Sequence, residues 1–349
     1  MTKETKPSRR AFLGAAAGAS TLALAAMPGR SAKAAETHEW KMESLWQGGS
    51  INQTIFADFC NRVDAATAGR VKITPMPVGS IVAYNETLDA VGSGILEAEH
   101  NGIAYFAGRD AAFALLGDLS GGYEAPWQMQ AWYEYGGGLE LARELYKPYG
   151  LYFVGSVWWG VESVPSKVPI NSPADLKGVK IRAPEGMASQ LFKAFDANVV
   201  TLAGSEVYTA LERGVIDATD WGTLSMNTDL GYQKIAKYAL YPGVHSMPAA
   251  DVAVNLDKWN ALSDDLKATV EMAARDFSRD MVERIAVQDR EDAQKMRAEG
   301  VTLIDWSPES RRIFRQKAQG IWETWSKKSP MAGKVYESQV SFMKKIGLL

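Results

Sequence analysis

The sequence predicts an α/β protein built as two lobes, with discontinuous domains, a hinge between them and long helices at the C-terminus. Three observations carry this reading. The chain has 349 residues, too many for one small core. Between residues 38 and 106, and again between 179 and 221, short apolar runs that suit strands alternate with helical spacings, the order of a sheet covered by helices. From residue 262 onward the pattern is almost wholly helical.

In the first block, residues 38–46 alternate as a strand. Residues 51–66 place Ile51, Ile55, Phe59 and Val63 on one helical face, and Gly69 closes that helix. A second strand spans 71–74 and is stopped by Pro75 and Pro77. A short helix at 85–91 and a third strand at 95–99 follow, and this order predicts a parallel sheet. A loop at 121–126 leads to aromatic-rich helices at 127–135 and 139–146, separated by Gly136, Gly137 and Gly138. No strand precedes that glycine run and no Lys-Ser/Thr pair follows it, so it reads as a helix corner rather than a phosphate cradle. A strand at 151–157 runs into Trp158 and Trp159, where the chain crosses into the second lobe.

There, Ser172 before Pro173 has the look of a helix start. Residues 179–183 form a short strand. Pro184 holds Ala183 extended, Gly186 loosens the turn, and helical spacing begins at Met187. Arg182 therefore stands near the C-terminal end of a strand, where open α/β sheets bind ligands. Its charged planar fork suits a carboxylate, although a surface pair with Glu185 or Asp175 fits the spacing equally well. A strand at 197–202, a helix at 206–213 and a strand at 215–221 come next, the last ending in Asp220 and Trp221. Strands at 237–241 and 250–255 are expected to return the chain to the first lobe. A long amphipathic helix at 262–297, a strand at 301–306 and helices at 308–328 and 331–346 complete it. The expected first lobe is 35–158 with 248–290, the second 159–247 with 291–310, and 311–349 form the C-terminal helices.

The first 34 residues read as a leader to be removed. Ser8-Arg9-Arg10-Ala11-Phe12-Leu13 is a twin-arginine pattern, an Ala-rich apolar run follows to Met27, and Ala32-Lys33-Ala34 offers a cleavage site. That implies a periplasmic protein, exported by the twin-arginine route and cleaved near Ala34. The leader holds six of the 38 Lys and Arg and one of the 41 Asp and Glu, which leaves 32 against 40, a net charge near −8. With no basic patch interleaved with aromatics, the sequence argues against nucleic-acid binding. The single Cys60 lies on an apolar helical face and reads as a small buried hydrophobe.

Three histidines, His38, His100 and His245, form no metal-ligand spacing. There is no nucleophile elbow and no dinucleotide fingerprint. Nothing asks for an enzyme or a required cofactor. The aromatic load, 11 Trp and 13 Tyr, is the distinctive feature. Trp46, Tyr105, Trp158, Trp159 and Trp221 fall at expected strand ends or loops and can line a Trp-rich cleft. The alternative is that most of them are core or lobe-packing residues, and Trp158 and Trp159 face opposite ways on a strand, so at most one meets a ligand. Asp220 either caps the next segment and pairs with a lysine, or accepts a ligand hydroxyl and helps hold a cation. His245, after Tyr241-Pro242-Gly243, either reaches the cleft from the hinge or is solvated.

Two stretches, Asp175-Leu176-Lys177-Gly178-Val179-Lys180-Ile181-Arg182 and Glu206-Val207-Tyr208-Thr209-Ala210-Leu211-Glu212-Arg213-Gly214-Val215-Ile216-Asp217-Ala218-Thr219-Asp220-Trp221, resemble the DctP-type solute receptors of tripartite ATP-independent periplasmic (TRAP) transporters. The likeness covers essentially the whole chain after the leader. Tyr135-Gly136-Gly137-Gly138-Leu139 and Tyr241-Pro242-Gly243 are similar to the branch that binds 2-oxo and hydroxy acids. The resemblance implies a two-lobe periplasmic binding protein that captures a small organic anion and hands it to a TRAP permease. It makes Arg182 the carboxylate-binding arginine, Trp221 an indole bordering the pocket and Asp220 the acid beside it. In that branch this acid and a Gln help hold sodium or another cation, so Asp220 and Trp221 become candidate sites for sodium or calcium. The region that should carry the Gln reads Trp158-Trp159-Gly160-Val161-Glu162, which lacks it and points to an acid with an apolar or aromatic body. Two other readings remain open: a periplasmic enzyme acting on an organic acid, and a receptor that reports its ligand to a signalling partner. Trp322 and Trp325 on the C-terminal helices either dock a second copy as a homodimer or brace the two lobes of one chain.

Overall fold

A computed structural model describes residues 36–202 and 204–349, so the twin-arginine pattern and cleavage site lie outside the described residues. Among the described residues the strands are β1 (His38–Ser44), β2 (Val71–Met76), β3 (Ala98–His100), β4 (Leu151–Trp158), β5 (Val164–Ser166), β6 (Lys180–Arg182), β7 (Asn198–Val200), β8 (Ala218–Thr219), β9 (Tyr238–Leu240), β10 (Ala249–Asn255) and β11 (Thr302–Ile304). They form a five-stranded sheet in the order β2-β1-β3-β10-β4 and a six-stranded sheet in the order β11-β9-β5-β8-β6-β7.

Helix signals act where the chemistry places them. Ser50 caps the helix Ile51–Ala66 by accepting from the Gln53 N–H, and the apolar stripe Ile55, Phe59 and Val63 is buried. Cys60 is buried in the same face, and burial pushes its thiol up, away from reactivity. β2 continues through Pro75 to Met76 because it is an edge strand, where a missing N–H breaks no ladder. A wholly buried helix, Ala111–Gly117, carries no polar face and so gave no amphipathic signal. Among the described residues no helix is long and apolar enough to cross a membrane.

The parallel arrangement expected of the first three strands holds, but each sheet as a whole is mixed. β1, β2 and β3 run parallel, but β10 lies antiparallel between β3 and β4. In the second sheet β5 is antiparallel to both β8 and β9. β9 also stays in that sheet, paired with β11 and β5, so only β10 returns to the first. The reason is topological: β5 and β10 enter their sheets by direct crossovers from the other sheet, and no covering helix turns them into the parallel sense.

Three segments cross between the sheets. Residues 159–163 link β4 to β5, residues 241–248 link β9 to β10, and the helix Asp264–Ala298 runs from one to the other. Its first half packs Leu266, Val270, Phe277, Met281 and Ile285 on the first sheet's cluster, and its end packs Ala293 and Met296 with Leu224, Ala239 and Val301. The C-terminal helices Pro308–Ser326 and Pro330–Lys345 tie both sides together within one chain. Trp322 donates to the Ser120 carbonyl at 2.9 Å and Trp325 to Gln190 Oε1 at 2.9 Å, both buried.

Two features of this frame are testable. Gly243 on the second crossover lies so close to the first that a Cβ there would stand 1.5 Å from the Glu162 carbonyl oxygen. Gly243→Ala is expected to lower unfolding free energy by about 1–3 kcal/mol or more through overpacking, read by urea denaturation. In the first sheet Glu99 and Asp251 are buried side by side. Tyr146 Oη donates to Asp251 at 2.7 Å. Burial pushes Asp251 up to about 7, against about 3.9 in an unfolded chain. The folded state then holds the extra proton, so this stabilising contribution is complete below pH ~4 and lost as pH rises through ~7. Asp251→Asn is expected to flatten that slope in denaturation midpoints measured from pH 4 to 8.

Candidate ligand-binding site

The site stands at the C-terminal ends of strands from both sheets. Arg182 is the last residue of β6 and pairs in register with Thr219 of β8 on one side and Val200 of β7 on the other. Asp220 follows β8 directly, and its N–H donates to the Arg182 carbonyl at 2.9 Å. The two short strands that end in Arg182 and in Asp220–Trp221 are therefore neighbours.

Arg182 is only 7% exposed and touches none of the acids its spacing offered. Asp175 instead accepts from the N–H groups of Asn171 and Ser172. The guanidinium Nε donates to the Leu202 carbonyl at 3.1 Å and Nη1 donates to the Asp220 carbonyl. The guanidinium carbon lies 5.2 Å from the centre of the Trp221 ring. Gly204 lies against that indole, where a Cβ would meet the ring at 1.8 Å. No carboxylate among the described residues stands within ion-pair distance of Arg182.

Behind Arg182 lies a buried acidic cluster. His245 Nε2 is 3.0 Å from Asp220 Oδ1 and 4.0 Å from Glu162 Oε2. One donor atom from each of Glu162, Asp220 and His245 falls within 4.8 Å of the others, and all three residues are buried. Trp159 Nε1 donates to Glu162 Oε1 at 3.4 Å. Asp118 accepts from Ser120 Oγ at 3.0 Å, Ser246 Oγ at 2.9 Å and the Met247 N–H at 3.3 Å. The electrostatics separate these acids. Burial, and then the nearby charge of Asp220, pushes Glu162 well up toward its neutral form. Burial also raises Asp118, to about 6. Asp220 feels the same desolvation, but His245 and, further off, Arg182 outweigh it and hold its carboxyl below the usual range.

The first sheet contributes the opposite wall. Tyr105 follows β3, is 45% exposed and meets Tyr84 edge-on with ring centres 5.0 Å apart. Desolvation, then Glu162, pushes its hydroxyl up to about 12, while Arg182 pulls the other way. Trp46 donates from Nε1 to His100 Nε2 at 3.0 Å and packs edge-on against Trp159 at 4.9 Å. These two indoles stand one layer behind Glu162. Trp158 points to the other side of its strand, as alternation requires, and packs edge-on against Tyr133 at 5.4 Å in the core. His245 is 1% exposed and sits against Phe192, ring centres 5.4 Å apart. The structure thus brings Arg182, Trp221, Asp220, His245 and Tyr105 together, with Trp159 and Trp46 bordering them and Trp158 apart. Glu162, Asp118 and Tyr84 were not singled out from sequence. Only the absent Gln drew attention to the Glu162 segment.

Residues 43–328 match the family model for DctP, bacterial extracellular solute-binding protein, family 7. The monocarboxylate 2-oxoacid-binding periplasmic protein of a Nostoc species is 32% identical over 310 residues, covering 88% of this chain and 84% of that protein. A TRAP periplasmic solute-binding protein of Rhodobacter sphaeroides, crystallised in an apo open form, superposes with a TM-score of 0.79 at 42% identity, covering 89% of this chain and 99% of that one. A TRAP transporter solute-binding protein of Bordetella bronchiseptica, with calcium and picolinate bound in its active site, superposes with a TM-score of 0.79 at 27% identity, covering 89% and 93%. The chain belongs to the DctP family of TRAP transporter solute-binding proteins. These are periplasmic receptors for transporters, not enzymes, so the enzymatic alternative falls away.

Proposed function

We propose that this receptor captures a small organic monocarboxylate between its lobes, with Arg182 as the anchor, and delivers it to the membrane subunits of a TRAP permease. One observation carries the reading. Arg182 is a buried guanidinium held in place by two main-chain carbonyls and facing no carboxylate of the described chain. A buried charge without a counter-ion is costly, and a ligand carboxylate supplies one. Trp221 shields that bond on one side, and Tyr105 closes over it from the other lobe. The lobes in this reading are residues 35–158 with 248–290 and 159–247 with 291–310, braced by helices in 311–349. Trp322 and Trp325 are used inside the chain, which favours bracing over a dimer contact at those residues. Export by the twin-arginine signal and cleavage near Ala34 belong to the same proposal.

The rest of the ligand faces Glu162, Asp220 and Asp118. A second ligand carboxylate there would meet like charge. A carboxylate with a neighbouring oxygen or nitrogen avoids this by sharing a cation with the acids. The 2-oxo acids of the Nostoc relative and the picolinate of the Bordetella relative both have that pattern. The donor set fits a cation: Asp220 and Glu162 offer carboxylate oxygens in a buried place, with Trp221 next to Asp220. Glu162 thereby supplies an oxygen from the segment where the Gln is missing.

A thermal-shift screen of 2-oxo acids, hydroxy acids, aromatic acids and sulfonates identifies the ligand. Arg182→Ala is then expected to weaken its binding by roughly 30- to 5,000-fold, the loss of about 2–5 kcal/mol for one partner of a desolvated charge pair. Calorimetry showing wild-type affinity in this variant would remove Arg182 as the anchor.

A further inference from the structure

We propose that the cation site of this receptor is a two-carboxylate, one-imidazole site that selects a nitrogen-accepting divalent ion of the zinc or cobalt kind over sodium and calcium. The inference rests on the cation-assisted reading above and concerns which ion this particular chain takes. Its basis is the position of His245 relative to Glu162 and Asp220. The imidazole Nε2 is 3.0 Å from one carboxylate and 4.0 Å from the other, and the three donor atoms lie within 4.8 Å of one another. Donors that share one ion at about 2.0–2.2 Å stand up to roughly 4.4 Å apart, so small side-chain shifts bring all three onto a common centre.

Charge and donor type then choose the ion. Two carboxylates in a buried place balance a divalent ion. Sodium and calcium favour sites made only of oxygens, whereas an imidazole nitrogen adds most to ions later in the first transition row. Glu162 is already oriented for the task, since the Trp159 indole holds Oε1 at 3.4 Å and leaves Oε2 toward His245. With Nε2 turned to an ion, the ring proton resides on Nδ1, which is buried and has no hydrogen-bond partner among the described residues. Lack of that outer partner costs about 10- to 100-fold in affinity. The expected site is therefore an exchangeable one, suited to a receptor that must release its cargo.

The test uses the exported, processed protein, stripped of metal with a chelator and kept free of organic anion. Zn²⁺, Co²⁺, Ca²⁺ and Na⁺ are titrated by calorimetry, and bound Co²⁺ is followed by its visible absorption. Wild type is expected to bind Zn²⁺ and Co²⁺ at least about tenfold more tightly than Ca²⁺. His245→Phe keeps the packing against Phe192 and is expected to lose at least about tenfold of the Zn²⁺ and Co²⁺ affinity, while Ca²⁺ binding changes less than about threefold. A change in the Co²⁺ spectrum of His245→Gln reports the lost nitrogen, and that variant replaces the first if it does not fold. Equal or tighter Ca²⁺ binding in wild type, or unchanged Zn²⁺ affinity in the folded variant, overturns the inference and leaves His245 as a hydrogen-bond partner of Asp220. Arg182→Ala provides no donor and is expected to keep the metal preference. Loss of anion binding in Arg182→Ala without any zinc preference in wild type would therefore sink this inference alone.

Discussion

A guanidinium buried against backbone carbonyls is the constraint around which this molecule is arranged. Arg182 could stay inside only if its N–H groups found acceptors and its charge found a partner. The Leu202 and Asp220 carbonyls meet the first need without cancelling the charge. They come from the ends of the segments flanking β6, so three short parallel strands must stop at the same level. The strands are only two or three residues long because their work is to deliver these ends. An acid in place of either carbonyl would quench the site. That is why Asp175 and Asp217 are spent elsewhere, on a turn and on the main chain and amine of Lys180.

The negative half of the site has a different origin. Glu162 lies on one crossover between the sheets and His245 on the other, while Asp220 ends a strand of the second sheet. The crossovers are laced by the Glu162 N–H to the Ser246 carbonyl at 3.1 Å and by the Ser163 N–H to the Gly222 carbonyl at 2.9 Å. The second is tied to the first lobe's loop through the Gly121 N–H to the His245 carbonyl, 2.8 Å, and through Ser246 to Asp118. Acids that repel one another are thus gathered where the chain bends between lobes. Under the proposed reading, a ligand or ion that neutralises them bears on both crossovers at once, and binding shifts the balance of lobe arrangements only as far as it prefers one of them.

Much of this frame was legible in the sequence, for identifiable reasons. The helix Ile51–Ala66 carries its cap and its stripe in local residues, so its limits could be read directly. Arg182 and Asp220–Trp221 were legible because each follows a short apolar run that a proline or a turn then ends. What was not legible depends on distant chain. The antiparallel placement of β10 and the membership of β9 are set by which strand lies next to them, not by their own residues. The helix Ala111–Gly117 is buried all round, and periodicity has nothing to show in such a segment. Glu162 entered the sequence reading only as the end of the segment that lacks the Gln. Its raised proton affinity comes from burial that no local pattern announces and then from Asp220, 58 positions away.

Trp158 and Trp159 show how far residue type alone can carry a functional assignment. Both are indoles, adjacent, and nearly equally buried, yet one braces Glu162 and the other packs on Tyr133. The difference is one step along the chain at the end of β4, which reverses the face. The same logic applies to His245. A histidine in a glycine-proline loop looked like a surface residue or a direct ligand contact, but Gly243 lets the second crossover approach the Glu162 carbonyl so closely that the imidazole is carried inside, beside Asp220. The position of the acid–imidazole cluster therefore follows from a backbone contact only glycine permits, and the chemistry of the hinge depends on a residue that has no side chain.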